Sequence, residues 1–172
     1  MFTLATLAAA ALAAPPPNTT PATPTTELHS PDVPWHLTLA LGNLKRFELE
    51  PDRPHHSEFD YRTDDGNMIL GVAIEDVVEP ATLAQCREVS DSRAAESGDG
   101  TKGLKTWQSG EAVMQEYEWH TTLNGHPYVE HNVYSCRVRG THFINVHAVK
   151  LDPGPSDAAM LRTLVENVRI VD

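Results

Sequence analysis

Glu118, His120 and His131 carry the clearest potential for chemistry in this chain. Two imidazoles and a carboxylate can hold a divalent ion and leave coordination positions open. They meet only if two strands pair in one particular register. Asn124-Gly125 is a two-residue turn signal, and it pairs Leu123 with His126. Thr122 then opposes Pro127 at a non-hydrogen-bonded position, where the missing N–H does no harm. Counting back, Glu118 opposes His131, Trp119 opposes Glu130 and Val113 opposes Cys136. Cross-strand neighbours lie about 4.5–5.5 Å apart, so Glu118 and His131 are within shared reach, and His120 sits beside them on the same face. The competing reading is a solvated His–Glu pair. No HExxH, CxxC or HxH spacing supports a zinc enzyme.

Other candidate chemistry is weaker. Gly98-Asp99-Gly100-Thr101-Lys102-Gly103 matches GxGxxG, but a helix precedes it and a strand follows. The dinucleotide fingerprint needs the reverse order, and Asp99 would repel phosphate, so a flexible acidic loop over residues 97–103 is expected. There is no GxSxG, and Gln108-Ser109-Gly110 reads as a loop before a strand. With Gly140-Thr141 as the next turn, Tyr134 opposes His147 and Cys136 opposes Asn145. A core histidine satisfied by Tyr134 or Asn145 is favoured there over a general base. His55-His56 lies in a Pro-bounded surface loop. Trp107, Tyr117, Trp119, Tyr128 and Tyr134 could line a ligand groove, but at strand spacing they fit a core. Trp119, between Glu118 and His120, is the candidate for a partner surface. No cofactor is called for, and no catalytic residue is assigned.

The elements that position these residues alternate between two periods. Residues 35–41 and 47–50 alternate as strands. Residues 57–62 and 67–78 form a hairpin about Asp64-Asp65-Gly66. Met68–Ile74 is apolar on both sides, which predicts a central strand covered on both faces. Thr82 and Gln85 make a capping box for a helix whose Leu83, Cys86 and Val89 share one stripe. Residues 113–123, 128–139 and 142–151 form a three-strand meander. One face holds Val113, Tyr117, Trp119, Tyr134, Cys136, Val138, Phe143 and Val149. The other holds Met114, Val129, Val133, Ile144, Val146 and Ala148. Ser156 caps a last helix with an apolar stripe at Ala158, Leu161, Leu164, Val165 and Val168. Arg169–Val171 form a short extended tail. Strands, helix, strands, helix define an α+β chain: a central antiparallel sheet with two helices packed on it.

Compartment and organisation follow from the N-terminal third. Residues 1–13 read as a signal peptide, with Ala11-Leu12-Ala13 at the cleavage site. The apolar run is too short to span a bilayer as a helix, and no lipobox cysteine follows. Residues 14–33 are Pro/Thr-rich and read as a disordered linker. Asn18-Thr19-Thr20 is a glycosylation sequon, meaningful only in a eukaryotic secretory pathway. Residues 34–172 form one domain. Cys86 and Cys136 are the only thiols, and behind an export signal they predict one structural disulfide. The competing reading is two buried, reduced thiols. A formal net charge of −11 argues against nucleic acid and anionic lipid as partners.

The element order, the long hairpin over residues 59–74, the meander and the helix leading into the closing Val168-Arg169-Ile170-Val171-Asp172 resemble the PsbP-like proteins. These include extrinsic photosystem II subunits, relatives that bind the Ran GTPase, and exported bacterial domains. The resemblance covers Trp35 to the C-terminus and implies an α-β-α sandwich serving as a docking or assembly module without chemistry. No motif of that family maps onto a position here, so it assigns no functional residue. The function expected is an exported, secreted or periplasmic, non-enzymatic domain that docks on a protein or envelope partner. The alternatives are a small metal- or ligand-binding protein using Glu118, His120 and His131, and, more weakly, a hydrolase.

Overall fold

The computed structural model describes residues 24–47, 56–77, 79–96, 98–123 and 125–172. The expected signal peptide, the first half of the linker, the sequon, residues 48–50 of the second expected strand and His55 lie outside them. The elements are β1 (Thr25–His29), β2 (His36–Ala40), β3 (Lys45–Phe47), β4 (His56–Arg62), β5 (Met68–Asp76), α1 (Leu83–Glu96), β6 (Thr101–Ser109), β7 (Ala112–Leu123), β8 (His126–Arg139), β9 (His142–Leu151), α2 (Asp157–Glu166) and β10 (Arg169–Val171). The class is α+β, mostly antiparallel sheet with two helices. There are two sheets rather than one. β3-β4-β5-β9-β8-β7-β6 form the large sheet, and β1-β2-β10 form a small one.

The meander register matches the sequence reading at every pair named for it. Leu123 faces His126, Thr122 faces Pro127, Glu118 faces His131 and Val113 faces Cys136. Cys136 faces Asn145 and Tyr134 faces His147. Because side chains alternate along a strand, that register fixes both faces of the sheet. Met114, Val133, Ile144, Val146 and Ala148 join one large core with Leu37 and Leu39 of β2 and Leu161 and Val165 of α2. Val113, Tyr134, Cys136 and Phe143 join a smaller core with Cys86 and, at its edge, Leu83 and Val89 of α1. β5 is central, between β4 and β9. Its Met68, Leu70, Val72 and Ile74 are buried on the large-core side, while Gly71 and Ala73 are only half-buried on the other.

The disulfide is present: Cys86 and Cys136 are bonded, with Cα atoms 5.6 Å apart. In the loop-entropy account a bridge over 50 residues contributes about 4 kcal/mol. The capping box forms as read. The Gln85 N–H donates to Thr82 Oγ1 at 3.2 Å, and the Thr82 N–H donates to Gln85 Oε1 at 2.9 Å.

Five expectations are corrected. His56, placed in a surface loop, opens β4 opposite Glu75. Thr25–His29, placed in the linker, is strand β1 and buries Leu28 against the large core. Residues 101–103, placed in a loop, open β6, and only Gly98–Gly100 are a turn of 3-10 helix. Gln108 and Ser109 likewise belong to β6 rather than to a loop. Ser156 makes no side-chain capping bond to α2; instead Asp157 Oδ2 accepts from the Gly154 N–H at 2.8 Å.

Candidate functional site

On the large-core side, the register brings the three expected ligands together as a chain of polar contacts. His120 Nε2 lies 2.9 Å from Glu118 Oε2, and Glu118 Oε1 lies 3.8 Å from His131 Nδ1. His131 Nε2 is 3.0 Å from Glu116 Oε1, and Arg162 of α2 approaches the other Glu116 oxygen at 3.5 Å. Glu116 and His131 are buried. The hydrogen bond from His120 holds the Glu118 carboxyl below its usual range. Every carboxylate here already faces an imidazole or a guanidinium. Among the described residues, no group of three or more His, Cys, Asp or Glu side chains is arranged to hold a metal ion. The arrangement is a ladder of polar contacts tying β7 and β8 to α2. Sequence reading missed its inner members, Glu116 and Arg162.

Trp119, the expected partner surface, is half-buried on the opposite face. A Cβ on Gly100 would lie 2.6 Å from Trp119 Nε1, so the 3-10 turn rests directly on the indole. Among the expected groove residues, Tyr117 and Tyr134 do line an open cleft on that face.

The cleft has a volume of about 200 Å³. Its floor is β5, β9, β8 and β7, and its wall is α1, pinned at one end by the disulfide. Ala73, Tyr117 and Tyr134 supply apolar surface, while Arg93, Gln115 and Asn145 supply polar groups. Arg93 Nη2 donates to Glu75 Oε1 at 2.8 Å, and its Nη1 donates to the Tyr134 hydroxyl at 2.6 Å. Gln115 Nε2 donates to Asp91 Oδ1 of α1 at 3.2 Å.

Donor and acceptor roles in this network are forced. A guanidinium can only donate, so the Tyr134 oxygen accepts from Arg93. The Tyr134 hydrogen must then go to Asn145, which receives it on Oδ1. That fixes the amide orientation and aims Nδ2 elsewhere. Asn145 is 3% exposed, and among the described residues its Nδ2 has no partner. A buried unsatisfied donor costs about 1–3 kcal/mol, a cost carried by a residue that lines the cleft.

His147 sits beside this network, its ring edge-on to Tyr134 at 6.0 Å. Its hydrogen bond goes to Asn132 Oδ1, at 2.9 Å, and not to Tyr134 or Asn145 as expected. Burial, aided by the Arg93 cation, lowers its pKa to about 4. Burial likewise pushes the Tyr134 phenol well above its ordinary value. The shifts leave both side chains uncharged at neutral pH: His147 lacks the second, acidic proton of an imidazolium, and Tyr134 keeps its own.

No protein-family model matches the chain, and no curated protein matches its sequence. Solved structures share its fold. One is a crystal structure from Bacteroides thetaiotaomicron VPI-5482, with a TM-score of 0.53 and 9% identity. The match covers 79% of this chain and 45% of that protein, so this chain spans less than half its length. Another is LpqN, described as involved in cell envelope biogenesis of Mycobacterium tuberculosis. It has a TM-score of 0.53 and 15% identity over 87% of this chain and 91% of its own. Identities this low show the fold alone. Among the described residues, no helix is long and apolar enough to cross a membrane.

Proposed function

We propose that this chain is an exported, non-enzymatic binding domain acting at the cell envelope, and that the cleft beneath α1 is its binding surface. The observation that carries the reading is the Asn145 amide, a buried donor without a partner at a cleft of aromatic and polar side chains. Such a donor is satisfied by a ligand oxygen, and the network behind it is preorganised to hold it still. The neutral His147 and Tyr134 favour binding over proton transfer, because a general acid or base works best with a pKa near the ambient pH. The disulfide supports an oxidising compartment. A fold shared with LpqN supports an envelope role. The element order supports the PsbP-like resemblance and its α-β-α layering as part of the same proposal: α1 packs on one face of the large sheet, and α2 on the other.

The test is a thermal-shift screen of small, oxygen-rich fragments of envelope polymers against the wild type and Asn145→Ala, with an esterase and peptidase panel beside it. The reading expects a fragment that raises Tm in the wild type only, with no turnover. Fragments that shift both proteins equally would overturn it. So would turnover that disappears in His147→Ala.

A further inference from the structure

Two hydrogen-bonding atoms of the cleft beneath α1 are left open, and they are of opposite kind. The first is the Asn145 Nδ2 donor, which has no partner among the described residues. The second is on His147. Asn132 Nδ2 donates to the Glu130 carbonyl at 3.3 Å, so the Asn132 oxygen is the atom that faces His147 Nε2 at 2.9 Å. That oxygen only accepts, so Nε2 carries the hydrogen of the ring. Burial and the Arg93 cation keep the ring neutral at pH 7. A neutral imidazole protonated on Nε2 has a bare Nδ1, which can only accept. The bond to Asn132 is the ring's one hydrogen bond among the described residues, so Nδ1 is open.

Asn145 and His147 are alternate residues of β9, so their side chains rise from one face about 6.6 Å apart. β5 runs beside them, and the register sets Ala73 against Asn145 and Gly71 against His147. All four line the cleft. The two small residues keep the floor open beside the two unpaired atoms. Glycine inside a central strand weakens it and marks a place where another group approaches closely. A Cβ on Gly71 would meet only Asp60 Oδ1, at 3.3 Å, so no backbone contact demands glycine there.

A donor and an acceptor at this spacing exceed the reach of one ligand hydroxyl, whose two bonds of about 2.8 Å span less than about 6 Å. A trans amide fits. Its C=O and N–H point in opposite directions, and with one bond at each end it spans about 7–8 Å. Its groups are also used completely, the oxygen by Asn145 and the N–H by His147. A vicinal diol reaches as far, but each hydroxyl brings a further hydrogen-bonding site that must be met beside the buried Asn145.

We infer that the cleft takes a secondary amide, whose carbonyl accepts from Asn145 Nδ2 and whose N–H donates to His147 Nδ1 above Gly71. The inference rests on the cleft being the binding surface. N-acylated amino sugars and peptides both present this group.

The test titrates the ¹⁵N-labelled full chain with N-acetylglucosamine, with N-acetylalanine N′-methylamide and with glucose, following the backbone signals of β9. At least one amide probe should half-saturate at a concentration about tenfold or more below glucose, the difference made by about one matched hydrogen bond. The amide that saturates first assigns the source, amino sugar or peptide. Gly71→Ala should keep or raise Tm, because alanine suits a strand better than glycine, yet raise half-saturation about tenfold by filling the floor. Asn145→Asp keeps an acceptor for Tyr134 and removes the open donor; it should lose binding equally, and it carries the test if Gly71→Ala does not fold. Wild-type binding in either folded variant would overturn the inference, as would failure of both amides to bind. Glucose binding as tightly as the amides would also overturn it; if that binding is lost in Asn145→Ala, the cleft remains the binding surface and only the amide assignment falls.

Discussion

Replacing His147 by Gln should flatten the acid side of the stability profile. The folded protein holds His147 neutral down to about pH 4, whereas an unfolded chain protonates histidine near 6.5. The folded-state pKa is depressed, so between these values the unfolded state binds more protons. Stability is then full above about pH 6.5 and falls as pH drops toward 4. Integrating between pH 7.5 and 4.5 gives a loss of about 2.5 kcal/mol from this group alone, a large share of a typical domain's stability. Gln keeps a donor that can reach Asn132 and does not titrate. The assay is urea denaturation at half-unit pH steps, wild type and His147→Gln side by side, so that all other titrating groups cancel in the difference. The difference curve should be flat above pH 7 and move by about 2.5 kcal/mol in favour of the variant by pH 4.5. A curve that stays flat throughout would mean that His147 protonates freely in the folded state, and the account of a half-buried, cation-flanked ring would be wrong.

Further outcomes follow from single contacts. Cys86→Ser with Cys136→Ser should cost about 4 kcal/mol in denaturant, the entropy of the closed loop; an unchanged midpoint would contradict the bridge as a stabiliser. Gly100→Ala should lower stability by about 1–3 kcal/mol, because its Cβ would meet the His120 carbonyl oxygen at 2.6 Å. Trp119 fluorescence should shift with it, and a wild-type Tm would refute the close approach. His131→Ala strips the buried Glu116 of its nearest partner, leaving Arg162 at 3.5 Å. Breaking such a pair costs about 3–5 kcal/mol by urea titration; a cost under 1 kcal/mol would show that the ladder is solvated.

The parts of this molecule legible in its sequence were those set by turns and alternation. Asn124-Gly125 and Gly140-Thr141 fix the meander, and Pro127 tolerates only some registers. From there the Cys136 face, the Glu118–His131 pair and the two cores follow by counting. β1 was hidden because Thr and Pro dominate its neighbourhood and one leucine, Leu28, does most of its burying. β6 was hidden because it is an edge strand, mostly exposed, with a bulge between Lys102 and Lys105. Edge strands blunt pairing with lysines and bulges, which erases the apolar alternation that reveals inner strands. The cleft was missed for a different reason. Gln115, Asn132, Tyr134, Asn145 and His147 all fall on one face of the meander, and that run of hydrogen-bonding groups on a covered face was readable. What no register could give is α1 lying over only part of it, with Arg93 reaching across to order the network.

The account turns on the Asn145 amide as the contact point for a ligand. Its side-chain N–H pair can be followed directly in a ¹⁵N-labelled sample, assigned by its loss in Asn145→Ala, while envelope fragments are titrated in. The account predicts that the Asn145 signal shifts with the binding isotherm and that the Gln115 side-chain amide moves with it. A fragment that binds while both signals stay fixed would place recognition elsewhere on the molecule and contradict the central claim.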